Sequence, residues 1–442
     1  MITRLQIENF KSWKQADLPF GKITAFFGAN SSGKTSILQL LLLLRQTVDW
    51  PDPSIPLFLG DRESLVDLGT FYDLIHQHNL SETLRWRLEW QIKPRKLFGI
   101  KNVQRIEHSA EIGWEGVGQS GRMVVRALSY RFDGRQVSYL RTEKGYDVRS
   151  EPPQLLARSP GRPPVHREPI NCYGFPDSVR IAFQNAEPLF ELAYELTSLA
   201  QRIYYLGPLR EYPQRQYLWS GAEPSDVGMR GENTIAALLT SRRHGKKIPR
   251  KKRHSQTVEE AVAEQLKKLG VIYSFDVRTI AEGSRLYEVK VRLAPQSPEV
   301  SLVDVGFGVS QMLPVITLCY FVPKGSVVIL EQPEIHLHPA VQMRLADVLI
   351  DAVQRNGIQI VLESHSEHLL TRLQRRVAEG KISHEDVKLY FCQFDGQKSI
   401  AEPLALDVYG QISNWPADFF GDLMTEAIET QKARIQRMKN EK

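Results

Sequence analysis

The apolar positions of this chain follow two rhythms, and their order outlines an α/β protein. Ile2 to Phe10 alternates apolar with polar residues, as a half-buried strand does, Pro19 to Lys22 turns the chain, and Ile23 to Phe27 is a short apolar run of the kind buried on both faces of a sheet. Ile37 to Leu44 then reads as the first turns of an apolar helix, before Trp50-Pro-Asp-Pro-Ser-Ile-Pro56 breaks any regular element. From Glu82 to about Ser150 the period returns to two, in Leu84 to Trp90, Val124 to Phe132 and Gln136 to Leu140, with Asp133-Gly134 between the last pair. That pattern predicts an antiparallel meander.

Residues 151–176, punctuated by Pro152, Pro153, Pro160, Pro163, Pro164 and Pro169, read as a loop or linker. A helical stretch over about Ser178 to Arg202 leads into Tyr204 to Arg210, a strand and turn. Ser255 to Leu269 is an amphipathic helix, and Tyr273 to Leu293 two strands joined near Glu282-Gly283. An apolar helix runs towards Tyr320, and two apolar runs, Ser326 to Leu330 and Ile358 to Leu362, have the length and bounds of buried strands. Ile37 to Leu44 is the longest apolar run and too short to span a bilayer.

Composition changes this picture little. A chain of 442 residues, 42% hydrophobic and 24% charged, has room for two or three lobes and the balance of a soluble globular protein. The net charge of +6 permits polyanion binding without arguing for it. Cys172, Cys319 and Cys392 have no metal-like spacing, and Met1 to Phe10 alternates rather than forming a secretory leader. The expectation is a cytoplasmic protein with buried thiols and no membrane partner. His336 and His338 are two apart rather than on one helical face, and no cysteine lies near them or near His365 and His368 to complete a zinc site. One dense basic run, Arg242 to Arg253 around Gly245 and Pro249, predicts a mobile loop that either grips nucleic-acid phosphates or is a solvated insertion. No aromatic residue lies within it for base stacking.

Candidate chemistry centres on Gly28-Ala29-Asn30-Ser31-Ser32-Gly33-Lys34-Thr35, set between an expected strand and helix. The spacing is that of a phosphate-binding loop. Gly28 and Gly33 let backbone N–H groups face phosphate oxygens, Lys34 adds a point charge, Thr35 a hydroxyl for Mg²⁺, and the helix N-terminus a favourable dipole. Downstream, Gly306-Phe-Gly308 at a helix start is a second anion-facing turn. The Ser326 to Leu330 strand ends in Glu331-Gln332-Pro333-Glu334, where such folds hold the water shell of Mg²⁺. The Ile358 to Leu362 strand delivers Glu363-Ser364-His365-Ser366.

In this order the chain resembles the ABC-type ATPases of the SMC/RecF/OLD class, and more narrowly a bacterial stand-alone group with a small C-terminal domain of unknown function. The resemblance rests on Asn9-Phe-Lys-Ser12, Gly28 to Thr35, Gly207-Pro-Leu-Arg210, Asp304 to Pro314, Glu331 to Pro339, Glu363 to Ser366 and Asn414-Trp-Pro-Ala-Asp-Phe-Phe420. It implies an α/β ATPase head with a mixed P-loop sheet and flanking helices, an antiparallel β-lobe, a helical and strand insertion, and a small C-terminal element. The corresponding segments are 1–150 for the N-terminal half of the head and the β-lobe, 151–300 for the insertion, 301–400 for the C-terminal half, and 401–442 for the last element. ATP would contact Lys11, Gly28, Asn30, Ser31, Ser32, Gly33, Lys34, Thr35 and Ser36. Thr35 and Glu331 would serve Mg²⁺. Gly306, Gly308, Ser310 and Gln311 would form the signature loop facing the γ-phosphate of an opposite subunit, and His365 would be the switch histidine. The implied state is a head-to-tail homodimer around two ATP molecules, open to higher assembly.

Three departures from the class pattern bear on activity. Glu331-Gln332 stands where Asp then Glu is usual, so Gln332 replaces the general base unless Glu334 substitutes. Gly306 replaces the signature serine unless Ser310 fills its role. Gln77 and Gln91 are the candidates for the Q-loop glutamine. No heptad arms are present, and the tail after His365 is short for the nuclease domain that OLD proteins append. The expected function is a slow ATP-dependent dimerising switch for a separate effector, a nuclease or toxin in antiphage defence. The alternatives are a RecF-like DNA-binding repair ATPase and an efficient ATPase using Glu334. Trp415, Phe419 and Phe420 are expected to anchor the last helix in the core.

Overall fold

A computed structural model describes residues 1–118, 120–162, 167–249, 255–416, 430–434 and 437. Strands β1 (Ile2–Phe10) and β2 (Trp13–Pro19) form a hairpin, β3 (Ile23–Gly28) leaves it for a second sheet, and α1 (Lys34–Asp49) follows. After the short α2 (Phe71–Leu74) come β4 (Leu84–Leu97), β5 (Ile100–Val117), β6 (Ser120–Phe132), β7 (Arg135–Thr142) and β8 (Gly145–Glu151). With the hairpin they make one antiparallel sheet of seven strands, ordered β2-β1-β4-β5-β6-β7-β8.

The chain then forms α3 (Ser178–Ala182), α4 (Glu187–Ala200) and β9 (Ile203–Leu206). The single helix expected from Ser178 to Arg202 is thus two helices. Pro188, in the first turn of α4, has no N–H to bond the carbonyl of Gln184 and its ring would clash there, so a helix can start at this point but not run through it. Next come β10 (Tyr217–Leu218), α5 (Thr234–Arg243), β11 (Lys247–Pro249), β12 (Ser255–Thr257) and α6 (Val258–Leu269). The Thr257 side chain caps α6 by accepting from the Glu260 amide, and Glu260 returns a bond to the Thr257 amide. Strands β13 (Ser274–Thr279) and β14 (Leu286–Arg292) pair in a small sheet with β10 and β15 (Val300–Ser301). The C-terminal half runs through α7 (Phe307–Phe321), β16 (Val327–Glu331), α8 (Pro339–Asn356), β17 (Gln359–Glu363), α9 (Glu367–Ala378), β18 (Val387–Phe394) and β19 (Ser399–Pro403).

The second large sheet has the order β19-β18-β3-β17-β16-β9, parallel except for β19. Its central strands are buried on both faces, and alternate side chains serve two cores. Phe26, Val327, Ile329 and Val361 join α1, α4 and the antiparallel sheet, whereas Phe27, Val328, Leu330, Ile360 and Leu362 join α5 to α9. A buried side chain bridges the two sheets. Gln359 accepts from the Ile2 amide at 2.8 Å and donates to the carbonyls of Ile2 and Gly21, each at 2.7 Å.

The fold is therefore a mixed α/β head with a P-loop sheet, flanking helices and a large antiparallel lobe. Strand β9, inside the stretch 151–300 read as an insertion, is the edge strand of the head's own sheet. The described part of the basic run is engaged within the fold. Arg242 makes a two-pronged pair with Glu259, and the Lys246 ammonium donates to the carbonyls of Phe321 and Val322. Arg250 to Arg253 lie outside the described residues. Trp415 is 45% exposed, against the expectation of a core anchor. A proline on its C-terminal side favours an extended backbone at Trp415 rather than a helix end docked on the core. Phe419 and Phe420 lie outside the described residues. All three cysteines are buried, and no helix among the described residues is long and apolar enough to cross a membrane.

Candidate nucleotide site

The site forms where β3, β16 and β17 end side by side. Gly28 closes β3 with φ of +136°, and a Cβ there would stand 2.0 Å from the carbonyl oxygen of Cys392 on β18, so only glycine fits. Gly33, at φ +91°, turns the loop into α1, and the indole of Trp13 donates to its carbonyl at 3.0 Å. Lys34 is almost wholly buried, its ammonium donating to the carbonyls of Gly28 (3.1 Å) and Ala29 (2.7 Å). Burial lowers its pKa, and the charge of Glu363 opposes that shift.

Asn30 to Ser36 bound a cavity of about 290 Å³ that Ser12, Gln332 and Glu363 close on the other sides. Lys11 is not among the lining residues. Its ammonium donates to Gln39 of α1 at 2.6 Å, and its neighbour Ser12 faces the cavity. Neither Gln77 nor Gln91 reaches this cavity. Gln91 lies within β4, and Gln77 sits exposed in a turn with φ of +53°.

The parallel register sets Glu331 directly beside Glu363, and Glu363 beside Phe26 of β3. The hydroxyl of Thr35 donates to Glu363 Oε2 at 2.7 Å, and the Lys34 ammonium is 3.9 Å from Glu363 Oε1. Glu331 accepts the phenol of Tyr205 on β9 at 3.0 Å. Burial, and next the charge of Glu363, push the Glu331 carboxyl up to about 7, against the Tyr205 hydrogen bond. Gln332 has φ of +44°, and its backbone N–H donates to the Glu363 carbonyl at 2.9 Å. Glu334 is buried rather than facing the cavity, accepting the Ser364 hydroxyl at 2.8 Å and the His365 amide at 2.7 Å. The imidazole of His365 lies 4.0 Å from Glu363, and burial, then the charge of Lys34, lower its pKa.

On α7, Gly306 occupies the N-cap, and among the described residues no atom beyond its chain neighbours lies within 4 Å of a Cβ built on it. Gly308 has only Leu337 nearby, at 3.6 Å. The Ser310 hydroxyl is buried and donates to the Phe307 carbonyl at 2.9 Å. Gln311 is also buried, and Arg210 connects it to the β16 terminus, its guanidinium reaching Gln311 Oε1 at 3.5 Å and the Glu331 carbonyl at 3.4 Å.

Glu363, Tyr205 and Arg210 were given no role by sequence reasoning. Glu363 carried a usable signal, since like Glu331 it ends an apolar strand next to a polar loop. The donor set suits a nucleotide triphosphate with Mg²⁺. A glycine cradle and a buried ammonium match phosphate oxygens, and the hydroxyl of Thr35 beside strand-end carboxylates is the hard oxygen chemistry Mg²⁺ takes.

The loop and the parallel sheet that carries it form a P-loop nucleotide-binding domain, and two family models of ATPase domains match parts of the chain. Residues 1–111 match the family described as "AAA ATPase domain", residues 176–371 "AAA domain, putative AbiEii toxin, Type IV TA system", and residues 382–429 "Protein of unknown function (DUF3696)". The chain is 45% identical over 51 residues to an OLD nuclease of Thermus scotoductus, a stretch covering 12% of this chain and 10% of that protein. Among solved structures it is similar to an SMC head bound to the C-terminal winged-helix domain of ScpA, at 12% identity and TM-score 0.46 over 92% of this chain and 98% of that one. A second, the SMC head domain from Thermotoga maritima, has 12% identity and TM-score 0.43, covering 91% and 98%.

Proposed function

We propose that this protein is a slow ATPase that works as a dimerising switch for a separate effector. ATP would lie against Asn30 to Ser36 with Lys34 on its β- and γ-phosphates, Thr35 would serve Mg²⁺, and Gly306 to Gln311 would meet the γ-phosphate of a second copy. When bound, Mg²⁺ supplies charge stabilisation to the transferring phosphoryl group. His365, beside Lys34 and Glu363, is placed to sense that phosphate, and Arg210 to carry the change between the Glu331 terminus and α7.

The observation that carries the slow rate is the orientation of the β16 terminus. Gln332 lines the cavity and a carboxamide cannot take a proton, whereas Glu334 is buried and does not line it, with Ser364 and His365 both bonded to its Oε1. Proton transfer by a placed base contributes typically 10²–10⁴-fold, so its loss leaves the ATP-bound dimer long-lived. A nuclease or toxin effector in bacterial antiphage defence is the setting that the sequence resemblance supports. Nucleic-acid binding through 242–253 has less support, because Arg242 and Lys246 are engaged within the fold. Light scattering with and without Mg²⁺ and ATP tests the switch. The wild-type mass should double with ATP and that of Lys34→Ala should not; an unchanged wild-type mass would remove the mechanism.

A further inference from the structure

Two carboxylates end adjacent strands at this site, and their surroundings differ. Glu331 is hydrogen-bonded by Tyr205 on the far side of β16 and does not line the cavity. Glu363 lines it, 2.7 Å from the Thr35 hydroxyl and 3.9 Å from the Lys34 ammonium. A carboxylate placed against the phosphate loop repels a bare triphosphate more than a cation-bound one. Glu363 sits on β17, the strand between β3 with its phosphate loop and β16 with Glu331.

Resting on the nucleotide reading above, we infer that Glu363 is the acidic group that anchors the divalent cation with Thr35, in place of Glu331. The carboxylate orients the Thr35 hydroxyl, fixing the oxygen that faces the cation, and its charge favours the cation-bound nucleotide over the free one. Glu331 then acts from behind, holding the strand ends in register through Tyr205. Gln332 has therefore not stripped the cavity of acid, because the second carboxylate sits one strand over.

Calorimetric titration of ATP, in excess Mg²⁺ and again in EDTA, tests this without reading activity. Wild type should bind more tightly with Mg²⁺. In Glu363→Gln, ATP in EDTA should bind as tightly as to wild type or more so, while the gain from Mg²⁺ falls by about 10–100-fold, the range typical when a carboxylate supporting a metal ligand is lost. A gain equal to that of wild type, or equal weakening in both buffers, would overturn the inference. If Glu363→Gln does not fold, Glu363→Asp is titrated in its place. Its gain should drop at least threefold, and an unchanged gain overturns the inference equally. Failure of wild type to bind ATP in either buffer would instead remove the nucleotide reading itself.

Discussion

The carboxylate of Glu334 accepts the backbone amide of His365 across 2.7 Å, joining the loop after β16 to the loop after β17. A glutamate held in this way is an anchor. The same sequence stretch offered it as a substitute base, and its burial, which raises the carboxyl pKa, would suit a proton acceptor. Its bonds to the Ser364 hydroxyl and the His365 amide instead hold the backbone of the loop after β17.

Hydrolysis by position-swapped variants separates the two readings. Gln332→Glu should raise the steady-state ATPase rate by at least tenfold, because it returns a carboxylate to the cavity wall. Glu334→Gln should change that rate less and lower the melting temperature more. A larger rate loss in Glu334→Gln than the gain in Gln332→Glu would assign the base to Glu334.

Gly28→Ala tests the loop's backbone. Its φ of +136° and the Cys392 carbonyl 2.0 Å from the added Cβ both oppose the substitution. Backbone strain of this kind costs about 1–3 kcal/mol before the clash is counted. Denaturant unfolding should show at least that loss, and ATP binding should disappear in the same variant.

Stability should depend on pH through Glu331. Its carboxyl is held near 7 in the folded protein against 4.5 unfolded, so the folded state binds the extra proton. The contribution is fully present below about pH 4.5 and is lost as pH rises through 7, a difference of roughly 3 kcal/mol. Unfolding in EDTA should show this slope between those limits, and Glu331→Gln should flatten it.

Arg210 is buried with its guanidinium between Gln311 and the end of β16. Burial lowers its pKa to about 10, with the charge of Glu334 opposing. A lysine ammonium cannot span both partners. Arg210→Lys should leave ATP affinity within about threefold of wild type and abolish the ATP-dependent mass change, as equilibrium binding and light scattering would show.

Much of this was legible along the chain. Gly28 to Thr35 reads locally because glycine spacing, strand and helix are all contiguous, and the meander from Leu84 follows from its period. The role of Glu363 was not legible, because its contact with Thr35 depends on which strand lies between β3 and β16, a choice made by packing across the whole sheet. Ile203 to Leu206 entered the head sheet for the same reason. Lys11 read as a phosphate contact from its place in a motif, yet a φ of +51° turns the chain there and Ser12 faces the cavity. In α3 and α4 the apolar period survived Pro188, and the break was visible only in proline's chemistry.

The central claim is that one copy's phosphate loop and another copy's α7 turn complete a single site. Mixing two inactive variants tests it directly. Lys34→Ala disables the loop, and Gly306→Glu puts a charge where, among the described residues and apart from its chain neighbours, no atom lies within 4 Å of the new Cβ. Neither variant alone should retain ATP through gel filtration in Mg²⁺. The account predicts that the mixture does, because the heterodimer pairs an intact loop on one chain with an intact turn on the other, restoring one of its two sites. No retention in the mixture, with both variants folded, would contradict a site shared between copies.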